Sequence, residues 1–306
     1  MHRPIMVAVG GDSGTGKTTL CAGLHAIFGP ERIAEVCLDD YHSLDRAQRA
    51  AVGLTALNPR ANDFATMEED LWRIAHGQTI EKPVYDHRDG TFGARERLEA
   101  KPIVIVHGLF PLYTRTLRSL FDVSVWLDPQ LELKIAWKIQ RDLAQRGYTE
   151  PGVRAEIARR QADIDAHISP QQAHADLRVR FSRCAPEVDN ARLDAQIVKG
   201  PRFRPLDYAH FASRSTHLRQ TSEGEGSYPT TVIELDGDID DETARAVRAE
   251  IVGHLGWRHA GLDVDGVGRF SDGARERISH PLALAQLLIA RRICLVLDEL
   301  ADAIAA

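Results

Sequence analysis

Eight consecutive residues, Gly11-Asp12-Ser13-Gly14-Thr15-Gly16-Lys17-Thr18, concentrate more chemistry than any other stretch of this 306-residue chain. They fit G-x-x-x-x-G-K-[ST], in which glycines let successive backbone N–H groups turn inward around phosphate oxygens. Lys17 is expected to reach the outer phosphates, and the Thr18 hydroxyl to sit on Mg²⁺. Residues 5–9 before the loop are an apolar run of strand length. Residues 18–27 after it carry Leu20, Leu24 and Ile27 on one helical side. A helix beginning there adds partial positive charge beneath the phosphates. Gly11, Asp12, Ser13, Gly14, Thr15, Gly16, Lys17, Thr18 and Thr19 are therefore the candidate residues for a nucleoside triphosphate.

Three further segments are expected at the carboxyl ends of strands, where an open α/β sheet does its chemistry. Asp39 and Asp40 directly follow an apolar run, where a carboxylate is positioned to take a proton from an acceptor hydroxyl. His42 and Arg46 lie just beyond, able to grip a sugar phosphate. Taken alone, the same loop also reads as an acidic helix cap and a solvated turn. Lys138, Arg141, Asp142 and Gln145 share one helix face, with Arg146 adjacent. Three cations around one carboxylate suit an anionic substrate with a metal or catalytic contact, although a solvated charged face has the same pattern. Ile135, Ala136, Ile139 and Leu143 are expected to pack on the other side. At the third strand end stands His107, where many phosphate-loop enzymes hold the Mg²⁺ shell with an acid; neutral imidazole is a poor ligand for that ion.

The elements that would position these groups alternate between strand and helix over the first two hundred residues. Strands are expected at 33–38, 102–106, 123–127 and 175–181. Helices are expected at 67–75, from 130 to 147 and at 152–167, with a loop or short edge hairpin at 82–87. The fold class is α/β: a P-loop NTPase-type parallel sheet covered by helices on both faces, with a smaller α+β C-terminal extension. The expected division is a kinase domain at 1–209 and an extension at 210–306, after a linker-like stretch at 221–227.

Composition sets the remaining bounds. A net charge of −6 argues against a broad nucleic-acid surface, while leaving room for local basic pockets. The four cysteines, Cys21, Cys37, Cys184 and Cys294, lack metal spacing and are expected as reduced thiols. No signal peptide is apparent, and Gln286, Arg291 and Arg292 break the longest apolar stretch. A soluble, cytoplasmic protein with no membrane or nucleic-acid partner is expected, with a homodimer formed through an edge strand or the last helix.

Several of these segments resemble phosphoribulokinase, in particular its plant and cyanobacterial class. They are Leu38-Asp39-Asp40-Tyr41-His42-Ser43-Leu44-Asp45-Arg46, Leu57-Asn58-Pro59-Arg60-Ala61-Asn62-Asp63-Phe64, Lys82-Pro83-Val84-Tyr85-Asp86-His87 and Ala136-Trp137-Lys138-Ile139-Gln140-Arg141-Asp142. The resemblance implies ATP-dependent phosphorylation of the C1 hydroxyl of ribulose 5-phosphate. It makes Asp39 the general base and His42, Arg46, Tyr85, His87, Arg141 and Arg146 the sugar-phosphate pocket. Lys138 and Asp142 then complete the catalytic centre beside Lys17, with Asp142 near the metal. Residues 152–167 are expected to contribute to a lid. Where the family reads Glu-Gly-Leu-His, this chain has His107-Gly108-Leu109-Phe110. Thr15 stands where plant enzymes carry a redox cysteine, although Cys37 matches the partner position, so no dithiol switch of that kind is expected. Two other readings remain at this stage: a uridine-kinase-like nucleoside kinase, and a nucleotide-binding regulatory homologue without turnover.

Overall fold

A computed structural model of the chain describes residues 3–185, 187, 189–199, 216–223, 230–255, 261–262, 264–273 and 275–305. Strands in chain order are β1 (Ile5–Gly10), β2 (Ile33–Cys37), β3 (Ile80–Lys82), β4 (Tyr85–Asp86), β5 (Thr91–Phe92), β6 (Glu96–Leu98) and β7 (Ile103–Gly108). They continue with β8 (Val123–Leu127), β9 (Leu177–Ser182), β10 (Asp194–Lys199), β11 (Leu218–Glu223) and β12 (Thr230–Leu235), and a β13–β14 hairpin (Arg269–Asp272, Arg275–Ile278) follows. The α-helices are α1 (Lys17–Phe28), α2 (Arg46–Ala51), α3 (Phe64–Ala75), α4 (Arg115–Leu120), α5 (Leu131–Arg146) and α6 (Glu150–Asp163), then α7 (Asp241–Gly253) and α8 (His280–Ala305). One eight-stranded sheet runs β11-β12-β10-β9-β8-β1-β7-β2.

The chain divides into two compact units. The first comprises Met1–Lys17, Arg32–Ser124 and Lys134–Ala175. Within it β1, β7 and β2 pair in parallel, placing Val9 opposite His107, Gly10 opposite Gly108 and Cys37 opposite His107. Every residue of β1 is buried, as expected for a parallel strand covered on both faces. Helix α3 lays Met67, Leu71 and Ile74 against Val36, Val104 and Val106. Asp63 caps that helix by accepting from the Thr66 N–H. Because the three strands end at one level, the segments leaving them emerge side by side.

The second unit comprises Thr18–Glu31, Val125–Leu133 and Asp176–Ala306. Here β8 and β9 are parallel, but the pairs β9–β10, β10–β12 and β12–β11 are antiparallel. The expected parallel sheet therefore gains an antiparallel half. The sequence of β9 carries the reason: Leu177, Val179 and Phe181 are buried while Arg178 and Arg180 are exposed, the alternation of a half-solvated strand. Thr221–Glu223, expected in a linker, belong to β11; the rest of that stretch and the expected 209/210 boundary lie outside the described residues.

Helix α8 is long and apolar enough over His280–Asp302 to cross a membrane by length and composition, yet 72% of its most apolar window is buried in the structure. Gln286 within it is fully buried and satisfied, accepting from the Gly268 N–H at 2.7 Å and donating to the Thr19 carbonyl at 3.1 Å. This is the behaviour of a core helix, in which a polar side chain persists because it closes backbone hydrogen bonds.

Gly108 ends β7 with φ +154°, and a Cβ there would lie 2.7 Å from Leu38 Cβ. Gly108→Ala is expected to lower the unfolding free energy by about 2 kcal/mol through backbone strain and overpacking. Urea denaturation measures it, and a loss below about 0.5 kcal/mol would contradict the close approach.

Candidate active site

The phosphate loop leaves β1 and closes on itself. Lys17 Nζ donates to the carbonyls of Gly11 at 2.8 Å and Asp12 at 2.7 Å, and the Thr15 hydroxyl donates to the Asp12 carbonyl at 2.9 Å. Helix α5 lies against the loop so closely that a Cβ on Gly14 would fall 2.9 Å from Lys138 Cβ. Gly14 also has φ +86°, so both backbone conformation and space exclude a side chain there. Lys134, absent from the expected set, pairs with Asp12 at 2.9 Å, and Arg141 Nη2 donates to Ser13 Oγ at 3.1 Å.

The expected orientation of α5 is reversed in one respect. Its charged face is the buried one: Lys138 is 4% exposed and Asp142 fully buried, whereas Leu143 is 44% exposed. Asp142 accepts from Lys138 Nζ at 2.7 Å on one oxygen and from Arg141 Nε and Nη2 at 2.9 and 2.8 Å on the other. The physical reason is charge pairing: a carboxylate enclosed by two cations is stable where an unpaired one is not. Asp142 thereby orients Lys138 and Arg141. Burial alone would raise the Asp142 carboxyl, but Lys138 and Arg141 outweigh it and hold it below the ordinary range. Arg146 ends the helix, and its side chain lies outside the described residues.

The segment leaving β2 forms a tight 3₁₀ turn, Leu38–Tyr41. Its two acids separate sharply in role. Asp40 is buried and structural: it accepts from Lys82 Nζ at 2.8 Å and from the Tyr85 N–H at 2.9 Å, anchoring residues 82–87 to the strand end. Asp39 is partly open, with its Oδ2 3.5 Å from His87 Nε2. Burial pushes the Asp39 carboxyl up, but His42, His87, Lys17 and His107 together draw it below its usual value. Burial in turn lowers His42, against the pull of Asp39. Burial likewise lowers Lys17, against the pull of Asp39 and Asp12.

Of the expected acceptor residues, His42 and His87 act on Asp39, and Tyr85 and Arg46 contact those two. His42 Nδ1 is 2.8 Å from Asn62 Oδ1, and the Tyr85 ring stands edge-on to His42 at 4.9 Å and to His87 at 5.2 Å. Arg46 Nη2 donates to the His87 carbonyl at 2.6 Å. Arg49, missed in the sequence, is buried and donates to the Tyr85 hydroxyl at 2.6 Å while its guanidinium lies 5.3 Å from that ring. Only its position one turn after Arg46's neighbour Asp45 hinted at this. At the end of β7, His107 Nε2 pairs with Glu35 Oε1 at 2.9 Å. Glu35 faces the same side of the sheet one pleat earlier on β2, a diagonal partner that strand reading did not single out. Residues 152–167, expected in a lid, belong to α6 and the short π-helix Ile164–Ile168 that follows it. Asp163 at its end accepts from Thr55 Oγ1 at 2.6 Å and Asn58 Nδ2 at 3.1 Å.

The unfolded-state carboxyl of Asp142 titrates near ~3.9, and its native value is lower, so its pairing stabilises the fold fully above that pH and is lost as pH falls through the native value. Asp142→Asn should cost about 3 kcal/mol at pH 7 by leaving Lys138 and Arg141 unpaired. In denaturant titrations the gap between wild type and variant should narrow below about pH 4. A gap that stayed constant down to pH 2 would sink this account.

The model of the family described as Phosphoribulokinase / Uridine kinase family matches residues 6–186. A phosphoribulokinase from Synechocystis sp. is 45% identical over 201 residues, 65% of this chain and 60% of that relative. A chloroplastic phosphoribulokinase from Triticum aestivum is 40% identical over 193 residues, 58% of this chain and 48% of the relative. The chain thus matches roughly half to three-fifths of the length of these relatives. Among solved structures, phosphoribulokinase from Rhodobacter spheroides is similar with a TM-score of 0.59 at 19% identity, over 82% of this chain and 96% of that one. At that identity the likeness is one of fold.

Proposed function

The chain belongs to the phosphoribulokinase/uridine kinase family, and we propose that it transfers the γ-phosphoryl group of ATP to the C1 hydroxyl of ribulose 5-phosphate. The observation that carries this reading is Asp39: a partly open carboxylate at the end of β2, 3.5 Å from His87 and in the field of Lys17. As the acceptor oxygen bonds to phosphorus and the bond to ADP breaks, Asp39 takes the hydroxyl proton. Its lowered pKa keeps it ionised and ready to do so at neutral pH. Lys17, the loop N–H groups and the Lys138–Arg141 face stabilise charge on the transferring phosphoryl group.

Arg46, Arg141, His42, Tyr85 and His87 are assigned to the sugar phosphate, with Arg49 holding the Tyr85 hydroxyl. A cationic wall of this kind favours a phosphorylated acceptor over a nucleoside. Thr18, an exposed oxygen donor in the first turn of α1, suits Mg²⁺, which when bound to ATP neutralises phosphate charge. Asp142, near the metal by the family resemblance, holds Lys138 and Arg141 through its two oxygens. The His107–Glu35 pair keeps a carboxylate beside the third strand end, which favours turnover over a purely nucleotide-binding role.

ADP release with Mg-ATP should be stimulated by ribulose 5-phosphate, and not by ribose 5-phosphate or uridine. No stimulation by any of the three, with ATP still bound, would overturn the reading. Asp39→Asn should lower kcat about 10²–10⁴-fold with ATP affinity little changed. Arg46→Gln should raise the KM for the sugar phosphate about tenfold or more, as expected on losing one charge-assisted contact.

A further inference from the structure

We propose that Cys37, Asp39 and His87 form a binding site for a thiophilic divalent cation of the Zn²⁺ class, separate from the Mg²⁺ that accompanies ATP. One ligand atom from each, the thiol sulfur, a carboxylate oxygen and an imidazole nitrogen, lies within 4.8 Å of the other two. Bonds of about 2.0–2.3 Å to such ligands give tetrahedral edges of roughly 3.3–3.7 Å. Asp39 and His87 already stand 3.5 Å apart, within that range, and the Cys37 sulfur lies no more than 4.8 Å from either ligand atom.

The three residues come from a strand end, the turn that follows it and the turn after β4. Cys37 ends β2, paired opposite His107 in the parallel ladder. Asp39 sits in the 3₁₀ turn that follows. His87 lies on the segment that Asp40 clamps through Lys82 and the Tyr85 N–H. All three are neither fully buried nor fully exposed, which gives an ion both an approach and a partly desolvated seat. Three protein ligands leave a fourth position open, as in Zn²⁺ sites that keep a water.

The ligand set selects the ion. A thiolate with an imidazole and one carboxylate favours Zn²⁺, Co²⁺ or Cd²⁺ and disfavours Mg²⁺, which demands oxygen. On binding, Cys37 gives its proton to solvent as sulfur bonds to the metal; no oxidant or reductant is involved. Because Asp39 would be a ligand, the bound cation would also hold the carboxylate assigned above as the base. That consequence for turnover rests on the kinase reading, whereas the binding itself does not.

The test is a Co²⁺ titration followed by the sulfur-to-cobalt charge-transfer band in the near ultraviolet. Wild type and Cys184→Ser, which removes an exposed thiol elsewhere, should develop the band with one equivalent bound. Cys37→Ser should lose it, and His87→Asn should weaken Co²⁺ binding at least tenfold, with circular dichroism reporting that each variant is folded. A band retained in Cys37→Ser, or none in wild type at a large excess of Co²⁺, would overturn the proposal. Zn²⁺ should also suppress phosphoryl transfer reversibly with chelator in wild type. Co²⁺ binding without Zn²⁺ inhibition would uphold the site and count against Asp39 as the base.

Discussion

The buried ion cluster of Asp142, Lys138 and Arg141 is the constraint on which the phosphate loop depends. A carboxylate with no solvent contact is tolerable only because two cations reach its two oxygens. Those cations are thereby fixed in turn. Lys138 is held against Gly14, where the contact leaves no room for a side chain, and Arg141 is turned toward Ser13 Oγ. With Lys134 on Asp12, one face of α5 grips the loop at three successive positions. The loop cannot be preorganised by its glycines alone, since glycine raises the entropy of whatever it does not constrain. Helix α5 supplies the constraint, and the cluster holds the helix face in place.

A second constraint is strand register. Parallel pairing of β1, β7 and β2 brings Val9, His107 and Cys37 to one level. The phosphate loop, His107 and the Asp39 turn therefore meet although they are far apart in sequence. A shift of one residue would send every side chain of β2 to the opposite face. It would part Glu35 and Cys37 from the side that His107 occupies. The two acids after β2 show how finely the position matters: Asp40 is consumed in anchoring Lys82 and Tyr85, and Asp39 is left beside His87.

The local charge environment also explains how an acidic chain can present a cationic site. Its net charge is −6, yet Lys17, Lys134, Lys138 and Arg141 are gathered at the loop and α5, and Arg46 and Arg49 on α2 reach His87 and Tyr85. Burial lowers the intrinsic tendency of Lys17 and Lys138 to stay protonated, and the neighbouring aspartates oppose that loss. Each of these cations has a carboxylate or a carbonyl as partner.

What the sequence determined by itself was the chain-local chemistry: Gly11 to Thr18 as a phosphate loop, the apolar runs at β1, β7 and β8, the helix after Asp128-Pro129, and Asp39 as the acid at a strand end. Those follow from spacing and periodicity within a few turns of chain. Only the tertiary structure decided which charges face inward. Asp142, readable as an open metal contact, is enclosed because Lys138 and Arg141 complete its bonds. Leu143, readable as core, is partly exposed because the charged face of α5 meets the loop. Glu35, Arg49 and Lys134 gained their partners across strands and helices, and pairing over such distances leaves no periodic trace. The cysteines showed no metal spacing along the chain, yet Cys37, Asp39 and His87 meet in space because a strand end, a turn and a clamped hairpin converge. Local order is written in neighbouring residues, whereas the fate of a buried charge depends on partners that only folding brings within reach.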